Sequence, residues 1–331
     1  MIQHTGPTAT RRPRALITGA AGFAGSHLAE YLVARGDVDV HGILRPDDGV
    51  HNVRHLGERL HIHRLDLRDE AQVQAVVRAV EPDLLFHLAA QASVGHSWAQ
   101  PQETLIGNIT MQLHLLQAVV AQGLSPRILV VGSADEYGRV NAADLPIDEC
   151  TPLRPMNPYA VSKIAQDMLG YQYHLSHGLH VVRVRPFNHI GPRQSTGFVV
   201  PDFAQQVARI EAGLQHPVVR VGDLSARRDF TDVRDMVRAY VLALEYGTPG
   251  AVYNIGSARS HSIREILEAL LRLCTCPVRV EVDAARLRPS DVREAVCDCR
   301  RFQRDTGWEP TIALEQSLRD VLDDWRARVR A

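Results

Sequence analysis

Residues 15–36 read "ALITGAAGFAGSHLAEYLVARG". A short apolar run, Ala15–Thr18, enters a turn with glycines at 19, 22 and 25. An amphipathic stretch follows and stops at Gly36. Glycines three apart serve ordinary turns as well, because they tolerate conformations that other residues resist. Their place decides the reading: strand before, helix after, at the start of an alternating pattern. Such a turn lets backbone amides and a helix N-terminus approach a pyrophosphate. Gly19, Gly22, Phe23, Ala24 and Gly25 are therefore candidate cofactor contacts.

Outward from this stretch the pattern repeats. "VDVHGILR", "LHIHRLDLRD", "DLLFHLAA", "PRILVVGSA" and "LHVVRVRP" read as strands. "EAQVQAVVRAVEP", "PQETLIGNITMQLHLLQAVVAQG" and "NPYAVSKIAQDMLGYQYHLSHG" read as the helices between them. Strands alternating with helices predict an α/β fold, a parallel sheet covered on both faces, with ligands beyond the C-terminal strand ends. After "RPFNHIGPRQ" the alternation breaks. The expected division is a nucleotide-binding domain over 14–187 and 228–257 and a smaller lobe, discontinuous in sequence, over 188–227 and 258–331. Residues 1–13 are expected to be a disordered tail.

Composition bounds the function. The chain has 331 residues, 45% hydrophobic and 23% charged, with a formal net charge of −1. No global field draws it to nucleic acid or to an anionic membrane, so an anionic ligand must be held by local arginines. The opening "MIQHTGPTATRRPR" lacks the apolar core of a signal peptide, and no apolar run approaches bilayer-spanning length. A cytoplasmic protein is expected. Cys274/Cys276 and Cys297/Cys299 form C-x-C pairs that miss the usual zinc spacing, so neither a metal nor a disulfide is expected. The 16 histidines are scattered, and His189 beside Asn188 is the one of interest.

The second strand ends at Arg45, with no acid until Asp47. An acid there would bond the ribose hydroxyls of NAD, whereas a guanidinium suits the extra phosphate of NADP. NADP(H) is the expected cofactor, with NAD(H) as the alternative. Asp66 and Leu67 end the third strand where adenine would lie. Tyr159 and Lys163, four apart in "NPYAVSK", share a helix face. A neighbouring ammonium would lower the phenol pKa and allow proton exchange with a substrate oxygen. Ser133, in "VGSADEYG", lies at a strand end between the glycine turn and this pair.

The glycine turn, Ser133 and Tyr159-x-x-x-Lys163 together resemble the extended short-chain dehydrogenase/reductase family over nearly the whole chain. The resemblance implies a Rossmann-type doubly wound sheet. It also implies that Ser133 bonds the substrate oxygen, Tyr159 is the acid or base, and Lys163 holds the nicotinamide ribose. Leu88, Ala89, Ala90 and Pro186 at strand ends would line the cofactor, and Asn108 would be structural. Paired long helices, around 102–122 and 157–176, would form a four-helix bundle in a homodimer, with a tetramer as the alternative.

"HLAAQASVGHSW", "RPFNHIGPRQSTGFVVPDFAQQ", "VGDLSARRDFTDVRD" and "LRPSDV" are similar to GDP-mannose 4,6-dehydratases and, more closely, to GDP-4-dehydro-6-deoxy-D-mannose reductases. A GDP-linked sugar is thus the implied substrate, bound by Gln91, Ser93, Ser133, Asn188, Arg193, Arg228 and Arg288. Guanidinium forks suit diphosphate oxygens. The dehydratases carry a glutamate base two residues after the triad hydroxyl; here that position is the shorter Asp135, with Ala134 before it and Glu136 after it. A strand-like backbone would turn Ser133 and Asp135 to one side and Glu136 to the other. Tyr137 is expected to be a packing residue. The expected reaction is reduction of a C4 ketone to GDP-D-rhamnose; a 4,6-dehydratase is the alternative, and a reductase giving GDP-6-deoxy-D-talose differs only in the face of C4 attacked. An epimerase stands third, and a non-catalytic NADP-binding scaffold requires an incomplete triad.

Overall fold

The computed structural model describes residues 11–286 and 292–330. The elements of the first half follow the expected alternation: β1 (Arg14–Thr18), α1 (Phe23–Arg35), β2 (Asp39–Leu44), β3 (Leu60–Arg64), α2 (Glu70–Val80), β4 (Leu84–His87), α3 (Val94–Ala99), α4 (Pro101–Ala121), β5 (Arg127–Val131), α5 (Pro158–His177) and β6 (His180–Pro186). Short α3 is the one helix here without a sequence-based expectation. Ser93 caps it by accepting from the His96 amide.

The second half adds β7 (Asn188–Ile190), α6 (Val199–Glu211), β8 (Val218–Val221), β9 (Arg227–Asp232), α7 (Val233–Tyr246), β10 (Val252–Ile255), β11 (Ser260–Ser262), α8 (Ile263–Arg272), β12 (Arg279–Val282), β13 (Glu294–Ala295), α9 (Arg300–Thr306) and α10 (Leu314–Arg330). Seven strands form one sheet in the order β10-β6-β5-β4-β1-β2-β3, and every pairing is parallel. Chain order reverses between β1 and β4, which opens a crevice at the strand ends. The two faces bury separate apolar layers: Leu28, Leu32, Met236 and Tyr240 lie on one side, and Val73, Val77, Leu116 and Val119 on the other.

The second lobe is built on β9, which pairs with β7, β11 and β13. This differs from the expected partition, which put 228–232 with the large sheet. The difference follows from burial. Phe230 packs among Phe203, Ile266 and Leu322 of the smaller lobe. Conversely, Phe302 and Trp308 pack in the core of the large sheet, although their sequence position assigns them to the lobe.

Two further expectations change. α4 is long and apolar enough, by length and composition, to cross a membrane; the sequence reading missed this run. It lies instead against α5 and α2, with Asn108 and Gln112 hydrogen-bonded to Ser162 and to the Gln166 carbonyl. Residues 1–10 of the expected tail lie outside the described residues, while Arg11 pairs with Asp83 at 2.8 Å.

Candidate active site

The glycine turn explains its own sequence. Gly19 has φ +68°, a conformation open to glycine, and its amide donates to the Ile43 carbonyl at 3.0 Å. A Cβ on Gly25 would fall 2.1 Å from the Gly19 carbonyl oxygen, so helix α1 reaches the strand end only with glycine there. Thr18 Oγ1 accepts from the amides of Leu88 and Ala89 at 3.1 and 2.9 Å, tying the ends of β1 and β4 together.

A cavity of about 880 Å³ runs over these strand ends. Its walls include Gly19, Gly22, Phe23, Ala24, Gly25, Arg45, Asp66, Leu67, Leu88, Ala89, Ala90 and Pro186 at one end, and Gln91, Asn188, Asp135 and Ser133 further along. The cradle that a Cβ would fill at Gly25, with the amino end of α1 open to the same cavity, fits a dinucleotide pyrophosphate.

Tyr159 and Lys163 reach the cavity from α5. Asn157 caps this helix, accepting from the Ala160 amide at 2.8 Å, and Pro158 fits its first turn. The phenol differs from the expectation. Lys163 Nζ donates to the Val131 carbonyl at 2.9 Å and lies 5.9 Å from the Tyr159 ring centre. Burial pushes the phenol pKa up, the Asp135 carboxylate adds to this, and the Ser133 hydroxyl opposes it as a hydrogen-bond partner. The shift is thus opposite in direction to the one expected from the neighbouring ammonium. Burial also lowers the Lys163 pKa to about 8, against a smaller raising effect of Glu136.

Ala134–Glu136 form a 3₁₀ turn rather than a strand. Ser133 caps it, its Oγ accepting from the Asp135 amide at 3.1 Å. Glu136 folds back so that Oε1 accepts from the Ser133 amide at 2.8 Å. The S-x-x-E spacing of a capping box was the available sequence signal for this. Asp135 lines the cavity, with its pKa raised by burial and partly offset by Arg228. Glu136 is fully buried, with Oε2 3.0 Å from Arg185 Nε. Tyr137 packs as expected and also donates to Asn254 at 2.6 Å.

Not all expected ligands face the cavity. Arg193 turns to Ser26 and Glu30 of α1, and its amide donates to Asp324. Its guanidinium is thus satisfied by Ser26 and an ion pair with Glu30. Ser93 serves as the α3 cap and does not line the cavity. Arg228 donates to the Arg227 carbonyl and is near enough to Asp135 to influence it. Arg288 lies outside the described residues. Asn108 holds both the amide and the carbonyl of Gln91, a structural role. His189 stacks on Phe23 at 5.7 Å, with its pKa lowered by burial. Among the described residues no group of three or more His, Cys, Asp or Glu is disposed to hold a metal.

Sequence reasoning did not assign Arg68, Phe198 or Gln194 to the site and read His51 as a surface or satisfied polar residue, yet all four line the cavity. Arg68 follows Asp66-Leu67 directly, and that adjacency was its only signal.

A parallel seven-stranded sheet with a glycine cradle, and Ser133, Tyr159 and Lys163 gathered at its strand ends, defines an oxidoreductase of the extended short-chain dehydrogenase/reductase class. The chain belongs to the GDP-mannose 4,6 dehydratase family, whose sequence model matches residues 16–321. It is 39% identical to a GDP-6-deoxy-D-mannose reductase of Pseudomonas aeruginosa, covering 96% of this chain and 98% of that protein. It is 30% identical to GDP-mannose 4,6 dehydratase 2 of Arabidopsis thaliana, covering 95% of this chain and 87% of that protein. Among solved structures, RMD from Pseudomonas aeruginosa complexed with NADPH superposes with a TM-score of 0.84 at 37% identity, over 96% of this chain and 99% of that one.

Proposed function

We propose that this enzyme reduces the C4 ketone of GDP-4-dehydro-6-deoxy-D-mannose to GDP-D-rhamnose. The observation that carries the reading is the 39% identity to a GDP-6-deoxy-D-mannose reductase over almost the full length of both chains. The chemistry of the cavity agrees. The glycine turn at Gly19, Gly22 and Gly25 would hold NADPH, which when bound would supply the hydride for a carbonyl carbon. Ser133 orients the carbonyl oxygen, and Tyr159, whose phenol holds its proton, delivers it to that oxygen. Lys163 keeps the Tyr159 end of α5 tied to the β5 strand end through Val131. Gln91, Asn188 and Arg228 are the proposed substrate contacts among the described residues.

The test is NADPH oxidation by purified protein given the 4-keto nucleotide sugar, with the product identified by NMR. Formation of a keto product from GDP-mannose without added NADPH, and no NADPH loss with the 4-keto sugar, would overturn the reading.

One observation favours a 4,6-dehydratase as the second reading: Asp135 places a carboxylate in the cavity two residues after Ser133. The two separate cleanly. Asp135→Asn should leave the reductase rate within about threefold, whereas dehydration would lose its base. A reductase loss beyond about a hundredfold, the scale of a general acid/base, would make Asp135 a participant in the reduction.

The same proposal includes a cytoplasmic homodimer. Val161, Met168 and Leu175 repeat every seven residues along α5, and Ile106 stands out on α4; these four side chains are 42–65% exposed. An apolar stripe on two parallel neighbours, in register at Asn108–Ser162 and Gln112–Gln166, suits a four-helix bundle with a second copy. Met168→Glu with Leu175→Glu is expected to give a monomer by light scattering. An unchanged mass for the double variant would place the dimer contact elsewhere.

A further inference from the structure

The turn after β2 carries both an attraction and a repulsion for a phosphate. Arg45 and Asp48 are closed on each other. Asp48 Oδ2 accepts from the Arg45 amide at 3.0 Å, and Oδ1 accepts from Nε and Nη2 at 3.0 and 2.9 Å. Arg64, the last residue of β3, holds the turn in this form. Its Nη1 donates to the carbonyls of Arg45, Pro46 and Asp48 at 3.2, 2.9 and 2.9 Å. Arg45 and Asp48 line the cavity beside Asp66 and Arg68. Arg68 is likewise tied, its Nε and Nη2 donating to both Asp66 oxygens.

The cavity wall at this end therefore presents two guanidiniums, 78% and 57% exposed, each already on a carboxylate. A 2′-phosphate would be drawn to Arg45 and Arg68 but would meet the charge of Asp48 beside Arg45. A ribose 2′-hydroxyl reverses the preference, because it donates to a carboxylate and, being neutral, gains less from a guanidinium than a phosphate does.

We propose that Asp48 is a specificity-determining residue that lowers the NADP(H) preference set by Arg45 and admits NAD(H) to the same site. The inference rests on reading the cavity as a dinucleotide site. Asp48 takes the 2′-hydroxyl of NAD(H), and it occupies the Nε–Nη2 edge of Arg45 that a 2′-phosphate would otherwise use.

The test is a pair of binding titrations, NADPH and NADH, on the full chain and on Asp48→Asn and Arg45→Ala, with thermal melting to confirm folding. For Asp48→Asn, the NADPH Kd is expected to fall and the NADH Kd to rise, each by about fivefold, the scale of one partly exposed charge contact. Arg45→Ala is expected to weaken NADPH about tenfold and leave NADH within about twofold. Shifts of both Kd values in the same direction in Asp48→Asn, or no shift in their ratio, would overturn the role of Asp48. If the unaltered chain binds neither dinucleotide, the reading of the site itself fails, which is a separate outcome.

Discussion

Tyr159→Phe is expected to lower the rate of carbonyl reduction by about two to four orders of magnitude, the range of a lost general acid. The phenol is the proposed proton donor; it shares the cavity with Ser133, and burial together with Asp135 pushes its pKa up. NADPH affinity should change by less than about threefold, because the aromatic ring remains. Single-turnover kinetics with saturating NADPH separate the two quantities. A variant that keeps more than a tenth of the rate would assign the proton to another group.

The adjoining lysine carries a pH signature. Burial depresses Lys163 to about 8 in the folded chain, below its ordinary value of 10.5. Between these values the unfolded chain binds the proton and the folded chain does not, so stability at this site rises with pH across that window. Lys163→Met should flatten the stability profile between pH 8 and 10.5. An unchanged slope would mean that the ammonium is solvated in the folded protein.

The second large effect concerns a buried ionic cluster under the site. Asp167 on α5 accepts from Arg183 Nη1 at 2.6 Å through one oxygen, and from Arg185 Nη2 at 2.5 Å through the other. Arg185 also lies against Glu136, which holds the Ser133 amide, and it donates to the Tyr137 hydroxyl at 3.1 Å. All of these charged groups are buried. Asp167→Ala leaves the buried Arg183 without a carboxylate and Arg185 with Glu136 alone, and breaking a buried pair in this way costs about 3–5 kcal/mol. Chemical denaturation should show a loss of that size. A loss below about 1 kcal/mol would mean that water reaches Arg183 and Arg185. Because Glu136 connects this cluster to Ser133, the surviving folded enzyme should also turn over more slowly.

Buried networks of this kind escape sequence reading for a physical reason. Arg183 and Arg185 alternate along β6 in "VVRVRP", where isolated arginines read as solvent-facing. Burial of both became affordable only because Asp167, from the preceding helix, meets them across the layer. Arg193 shows the reverse error. Its chemistry suits a diphosphate, but its partner Glu30 lies 163 residues away in sequence, and only the packing of its loop on α1 brings them together.

Local patterns in the sequence were sufficient for the large sheet, the glycine cradle and the shared face of Tyr159 and Lys163. Each depends on spacings of two to seven residues that backbone geometry converts directly into position. The sequence pattern already set Asp135 on the Ser133 side and Glu136 on the other, and the tertiary structure alone decided what backbone does this and what holds Glu136. The 3₁₀ turn sends Asp135 to the cavity and Glu136 to Arg185. That choice depends on where a distant cation is buried, and an unpaired charge cannot stay in the interior without one.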